Sequence, residues 1–256
     1  MKGVILAAGK GERLRPLTYA VPKEMLPIAG KPVLEYILQS IKLAGIDTVF
    51  IVTGWKKHAL IDYFGDGSRM NLNVFYAVQN NEEFPDKRGI ASALKVVKPF
   101  LMDDKFLVVL GDSLFTPETF IKEIVDYDAC CADSSATIGV IPVKNISRYG
   151  IICPSDNLIK FIVEKPQPHE APSDLGALGV YVFSPCIFDA IDEISLGVGG
   201  EYQITDAIQR LIDKGKKVYY KVLNGVHWDI GTIADLIDAN EYFTKVVNSR
   251  ALRNGI

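Results

Sequence analysis

Residues 3–27 read GVILAAGKGERLRPLTYAVPKEMLP, and the order of residue types along this stretch decides the fold. Val4, Ile5 and Leu6 form a short apolar run without alternation, the pattern of a central parallel strand covered on both faces. Ala7, Ala8, Gly9 and Gly11 follow, leaving the backbone bare enough for a phosphate to reach its N–H groups. A bland alternative is that the two glycines merely turn the chain between a strand and a helix. Against it, Pro16, Pro22 and Pro27 prevent one continuous helix, and Arg13 and Lys23 stand as cations in an otherwise apolar, apparently extended loop. The stretch is therefore expected to be a phosphate cradle at the carboxyl end of a strand.

Working outward, residues 31–43 predict an amphipathic helix, 47–53 a β-branched strand, 57–64 a return helix and 72–78 a third strand. That alternation predicts parallel pairing through right-handed crossovers. Residues 89–98 predict a helix, 105–110 an apolar strand ending in Gly111-Asp112, and 117–127 another helix. Further strands are expected at 136–143, 178–183 and 217–223, and helices at 185–193, 204–214 and from Thr232 to about residue 247 with Thr232 as cap. Residues 149–164 alternate short strands with a turn, a hairpin added to the sheet, and the tail from Ser249 is expected to be loose. The fold class is α/β: a Rossmann-like mixed, mainly parallel central sheet flanked by helices, with a small β-hairpin extension.

The 256 residues, 48% of them hydrophobic, suffice for one α/β domain with a substantial core, and no linker divides them. A formal charge of −3 does not advertise the basic face that nucleic acid or an anionic membrane requires. No apolar stretch approaches the roughly 20 residues of a membrane span, and the first residues lack a signal h-region, so a cytoplasmic location is expected. Cys130, Cys131, Cys153 and Cys186 show no metal spacing and read as reduced thiols.

Asp112 and Asp229 each follow a β-type run, and parallel-sheet geometry is expected to bring such strand ends together. Two carboxylates there suggest Mg²⁺, which needs only one or two protein carboxylates beside substrate phosphates, although Gly-Asp pairs are also common turns. Lys165 ends the apolar run FIVEKP and could reach an anion or simply guard an edge strand. Gln79 and Gly89 bracket a polar loop suited to a planar base. His58, His169 and His227 are isolated. The dinucleotide pattern G-x-G-x-x-G fails at Leu14, and Gly30-Lys31 lacks the upstream glycine of a Walker A loop.

Taken together, the L-A-A-G-x-G-x-R-L-x-P-L-T opening, the P-K-E-M-L-P-I-x-G-K-P run, Gly111-Asp112, Tyr149-Gly150, Glu164-Lys165-Pro166, Gly200-Glu201 with Ile204-Thr205-Asp206, and Trp228-Asp229 with Gly231-Thr232 resemble the sugar-1-phosphate nucleotidyltransferases, the family of glucose-1-phosphate thymidylyltransferases and uridylyltransferases. The resemblance covers nearly the whole chain. It implies attack of a sugar-1-phosphate oxygen on the α-phosphate of a nucleoside triphosphate, with pyrophosphate leaving and Mg²⁺ bridging phosphates. By analogy Arg13 would hold pyrophosphate, Lys23 the reacting phosphates, Lys165 the sugar phosphate, and Asp112 and Asp229 the metal. Gln79, Gly89 and the backbone from Leu6 through Ala8 and Gly9 would read the base, with Gly11 in the same nucleotide loop. Tyr149, Gly150, Glu164 and Glu201 would lie around the sugar. The single domain would divide into a mainly nucleotide-binding part to about residue 135, a mainly sugar-phosphate-binding part to about residue 230, and a C-terminal helix and tail.

Glu24-Met25 looks like the uridylyl group, whereas Ile90 after Gly89 and Ser113 after Asp112 depart from common patterns, so base and sugar stay open between UTP and dTTP, with glucose 1-phosphate favoured. The sequence is shorter than that of relatives carrying a left-handed β-helix, and none is expected in it. Homo-oligomerisation is left open by the sequence. A binding subunit that has lost turnover is the competing reading, and intact Arg13, Lys23, Asp112 and Asp229 count against it.

Overall fold

A computed structural model describes residues 1–54, 56–80 and 88–253, with side chains through residue 247. Its central strand is β1 (Lys2–Ala7), buried from Gly3 onward. The segment beyond β1 is neither extended nor a long helix. Its prolines break it into three single 3₁₀ turns, Glu12–Leu14, Leu17–Tyr19 and Lys23–Met25, followed by a two-residue ribbon of β2 (Pro27–Ile28) and β3 (Lys31–Pro32).

Helix α1 (Val33–Leu43), strand β4 (Thr48–Thr53), helix α2 (His58–Phe64) and strand β5 (Asn73–Val78) complete the expected alternation, and β5, β4 and β1 pair in parallel. Helix α3 (Ile90–Lys95) leads to β6 (Phe106–Leu110), parallel to the other side of β1. Next come β7 (Ser113–Thr116), α4 (Phe120–Cys130), β8 (Ser134–Pro142) and the hairpin of β9 (Gly150–Ser155) with β10 (Leu158–Glu164). Strand β11 (Leu175–Phe183), helices α5 (Ile187–Glu193) and α6 (Ile204–Asp213), strands β12 (Lys217–Val222) and β13 (Val226–Asp229), and helix α7 (Ile233–Arg253) finish the chain.

Among the described residues nine strands form one mixed sheet in the order β5-β4-β1-β6-β11-β8-β12-β10-β9. Its first four strands are parallel, whereas β11 runs antiparallel to both β6 and β8, so antiparallel pairing dominates the far half. Side chains alternate across the sheet. Ile5, Val49, Ile51, Leu107 and Val109 pack beneath α1 and α4, while Val4, Phe50, Val52, Phe106 and Val108 pack against α3, α5 and α6. Truncating one such buried aliphatic to alanine costs about 2–5 kcal/mol, and this two-sided packing fixes where the strand ends lie.

Two expectations fail. The residues after Ser249 are not loose as far as Arg253, because α7 continues through them. Strand β7 is absent from the sequence reading; it pairs antiparallel with β13, matching Ser113 with Asp229, in a separate two-stranded ribbon. That ribbon, and not parallel-sheet geometry, carries Asp229 to Asp112, with the Ile230 N–H donating to the Asp112 carbonyl at 3.0 Å. Among the described residues no helix is long and apolar enough to cross a membrane. Most of the base-side loop expected at 79–88 lies outside the described residues.

Candidate active site

The carboxyl ends of β1 and β6, the β7–β13 ribbon, the β9–β10 hairpin and the start of α6 surround a cleft of about 700 Å³. Its lining includes Arg13, Lys23, Asp112, Lys165 and Asp229 together with Leu6, Ala8, Gly9, Gln79, Gly89, Tyr149, Gly150, Glu164 and Glu201. Of the proposed site residues only Gly11 is outside that lining. It sits at φ +62°, its carbonyl accepts from Thr18 Oγ1 at 2.8 Å, and a Cβ there would meet the Thr18 methyl at 2.9 Å, so its job is to turn the loop.

Glycines let charged groups converge. A Cβ on Gly9 would touch the Lys23 side chain, one on Gly111 would press on Glu24 and the Leu6 carbonyl, and one on Gly231 would lie 2.8 Å from Arg13 Nη2. Lys23 Nζ donates to Asp112 Oδ2. Burial alone would lower the Lys23 ammonium, but Asp112, Glu24 and Asp229 outweigh it and hold its pKa well above the ordinary lysine range. Asp229 is pushed up, first by burial and next by Asp112, against the pull of Arg148, whose Nη2 donates to Asp229 Oδ2 at 2.6 Å. A second carboxylate close enough to raise Asp229 makes a site that favours a cation.

On the hairpin side, Tyr149 ends a 3₁₀ turn (Ile146–Arg148) and its carbonyl accepts from the Lys165 N–H at 3.0 Å. Lys165 takes φ +44° just beyond β10, and its Nζ lies 3.2 Å from Glu164 Oε1, while Glu164 Oε2 accepts from Thr205 Oγ1. Gly150 is obligatory here, since a Cβ would meet the Thr205 methyl at 2.6 Å. Glu201 follows a tight turn over Val198–Gly200, and Gln203 ties that turn down by donating to the Val198 carbonyl at 2.9 Å.

The opposite wall is joined to this one through backbone. Gly89 at φ +111° leaves no room for a Cβ, which would fall 2.4 Å from the Tyr202 carbonyl, and Tyr202 N–H donates to the Arg88 carbonyl at 2.9 Å. The Gln79 N–H continues the β4–β5 ladder by donating to the Thr53 carbonyl at 2.8 Å.

Three residues were missed or underrated by the sequence. Arg148 lines the cleft and binds Asp229, although nothing but its place before Tyr149 singled it out. Glu24 reads in the sequence only as a marker of base preference; it is fully buried, neither carboxyl oxygen is hydrogen bonded among the described residues, and burial lifts its pKa to about 8 against the pull of Lys23. His227 lines the cleft, stacks on Phe115 at 5.4 Å, has no hydrogen-bond partner for either ring nitrogen among the described residues, and is pushed by burial down to about 4.

A glycine turn, convergent cations and two carboxylates, one past β6 and one on the β7–β13 ribbon, are the groups a phosphate-handling transferase calls for. Residues 2–246 match the family model described as nucleotidyl transferase. The low-salt glycan biosynthesis nucleotidyltransferase Agl11 of Haloferax volcanii is 37% identical over 243 residues, 94% of this chain and 65% of that protein, so the chain spans just under two thirds of that relative. A UTP–glucose-1-phosphate uridylyltransferase of Staphylococcus epidermidis is 34% identical over 257 residues, covering 90% of this chain and 87% of its own. A solved UDP-glucose pyrophosphorylase complexed with UDP-glucose superposes with a TM-score of 0.86 at 28% identity, over 95% of this chain and 98% of that one. The chain belongs to the nucleotidyl transferase family, as an enzyme of the sugar-1-phosphate nucleotidyltransferase class.

Proposed function

We propose that the chain transfers a nucleotidyl group from UTP, or secondarily dTTP, to glucose 1-phosphate. The observation that carries this reading is one cleft where Arg13, Lys23 and Lys165 face Asp112 and Asp229. A phosphate oxygen of the sugar phosphate forms a bond to the α-phosphorus, the bond from that phosphorus to the bridging oxygen breaks, and pyrophosphate leaves with the electron pair. No proton transfer and no covalent enzyme intermediate are needed, which suits a site made of cations and glycines without a nucleophile.

In this reading Arg13, held over Gly231, takes the departing pyrophosphate. Lys23 exchanges Asp112 for the phosphates under attack, and Lys165 exchanges Glu164 for the sugar phosphate. Leu6, Ala8 and Gly9 with Gln79 and Gly89 border the base, and Tyr149, Gly150, Glu164 and Glu201 border the sugar. The Asp112–Asp229 pair fits Mg²⁺: both donors are carboxylates, and their mutual repulsion is what a cation relieves. Among the described residues no cluster of three or more His, Cys, Asp or Glu closes a metal site, so phosphate oxygens would supply the other ligands. When bound there, Mg²⁺ would neutralise charge on the phosphates.

UTP is placed first because Glu24-Met25 resembles the uridylyl group and because the Staphylococcus relative is named for UTP and glucose 1-phosphate. Purified chain with Mg²⁺ is to be scored for pyrophosphate release across UTP, dTTP, CTP, ATP and GTP with several sugar 1-phosphates. The highest kcat/KM is expected for UTP with glucose 1-phosphate; a different best pair corrects the specificity, and no release from any pair refutes the reading.

A further inference from the structure

We infer that Arg148 is a built-in counter-cation for the metal position, holding Asp229 when no divalent ion is present and moving to Asp235 when one binds. This rests on the metal reading of Asp112 and Asp229. Arg148 Nη2 already spans both partners, at 2.6 Å from Asp229 Oδ2 and 3.4 Å from Asp235 Oδ2. Nη1 also donates to Asp235 Oδ1 at 3.5 Å, so Asp229 is the shorter contact and Asp235 a second partner already bonded through both nitrogens, and letting go of Asp229 leaves the guanidinium paired.

Asp235 is suited to receive it. It lies in the first turn of α7, where the helix N-terminus favours a carboxylate, and Thr232 Oγ1 donates to its Oδ2 at 2.7 Å while accepting from its N–H at 3.2 Å. That anchoring keeps the carboxylate still, and Asp235 is not among the residues lining the cleft. Asp229, by contrast, lines the cleft and is fixed by its pairing with Ser113.

Charge balance supplies the reason for a handover. Lys23 on Asp112 and Arg148 on Asp229 match each carboxylate of the metal pair with a cation, while Asp235 is a third carboxylate that shares Arg148. A divalent ion added without displacement would meet carboxylates already matched by cations. Release of Arg148 to a second carboxylate frees one ligand while the guanidinium stays paired and within the fold. Arg148 is thus a positioning residue: it acts through Asp229, and it ties that carboxylate to Tyr149, its chain neighbour, on the sugar side.

The test is Mn²⁺ titration of the full chain without nucleotide, followed by the electron paramagnetic resonance signal of free Mn²⁺, on wild type, Arg148→Gln, Arg148→Lys, Asp235→Asn and Asp229→Asn. Removing a partly exposed charged partner predicts about tenfold tighter Mn²⁺ binding for Arg148→Gln. Asp235→Asn should bind several-fold more weakly, because the guanidinium loses its second carboxylate, and Arg148→Lys should stay near wild type. Opposite signs for the two substitutions are something simple loosening of the fold cannot produce. Equal or weaker binding by Arg148→Gln overturns the handover, and if that variant does not fold, wild-type affinity in Asp235→Asn overturns it instead. Absence of any Mn²⁺ binding that Asp229→Asn abolishes overturns the metal reading along with it.

Discussion

Glutamine in place of Glu24 isolates the cost of a buried carboxyl group at the centre of the site. Glu24 is fully buried, neither of its oxygens is hydrogen bonded among the described residues, and its Cγ packs under the bare Cα of Gly111. Burial raises its pKa from 4.5 to about 8, Lys23 pulls it down and Asp112 adds to the rise. The folded chain therefore holds a proton that the unfolded chain has released, so stability falls as the pH climbs from about 4.5 to about 8. At about 1.36 kcal/mol per pH unit, the gap sets a ceiling near 5 kcal/mol. Relaxation and water entry reduce such ceilings, and about 2–3 kcal/mol is the expected loss.

Glu24→Gln keeps the shape and removes the titration. Urea unfolding of both proteins at pH 5 and pH 9 gives the test as a difference of differences, which cancels every other titrating group. The substitution should be near neutral at pH 5 and worth about 2–3 kcal/mol in favour of glutamine at pH 9. Parallel profiles, with the difference between the proteins constant to within about 0.5 kcal/mol, would refute the reasoning, because they would mean that Glu24 ionises as easily folded as unfolded.

Three further outcomes are expected. His227, pushed down to about 4 from 6.5, makes the folded chain bind fewer protons than the unfolded one, so about 2 kcal/mol should be lost as the pH falls through that window; His227→Phe, retaining the stack on Phe115, should flatten the acid limb of a melting-temperature profile. Gly89→Ala and Gly231→Ala should differ in kind: the first puts a Cβ 2.4 Å from a backbone carbonyl and should cost about 2–3 kcal/mol in urea unfolding, while the second presses on the movable end of Arg13, with Asp229 Oδ1 at ordinary contact distance of 3.4 Å, and should cost little stability but roughly tenfold in turnover. Lys165→Ala should raise the KM for sugar 1-phosphate at least tenfold more than that for the triphosphate, and equal losses in steady-state kinetics would contradict its assigned side of the cleft.

The parallel half of the fold was legible because each strand there announces itself locally. Val4 to Leu6, residues 48–53 and 106–110 are apolar or β-branched runs bounded by helices and glycines, and crossover geometry leaves them little freedom. The β7–β13 ribbon was not legible. Ser113 to Thr116 is four residues between Asp112 and Pro117, and Val226 to Asp229 mixes a valine with His227 and Trp228, so neither has a pattern that survives without its partner. Asp112 and Asp229 were consequently paired by the right expectation and the wrong route.

The same distinction explains what was missed inside the cleft. Cations and glycines in the opening loop stand out because charge in an apolar stretch is a local signal, whereas Arg148 acquires meaning only from Asp229, 81 residues further on. Glu24 is harder still, since its neighbour Lys23 makes it look like half of an exposed ion pair, and only the packing of Gly111 and the β1 end over it removes it from water. Spacing can list the charges of such a site but not its balance. With Lys23 on Asp112, Arg148 shared by Asp229 and Asp235, and Glu24 neutral below about pH 8, two cations face three carboxylates in this cluster. On the proposed reading, a phosphate that takes Lys23 from Asp112 would leave that carboxylate open to a divalent ion, so binding of the triphosphate and binding of the metal would be coupled through one lysine.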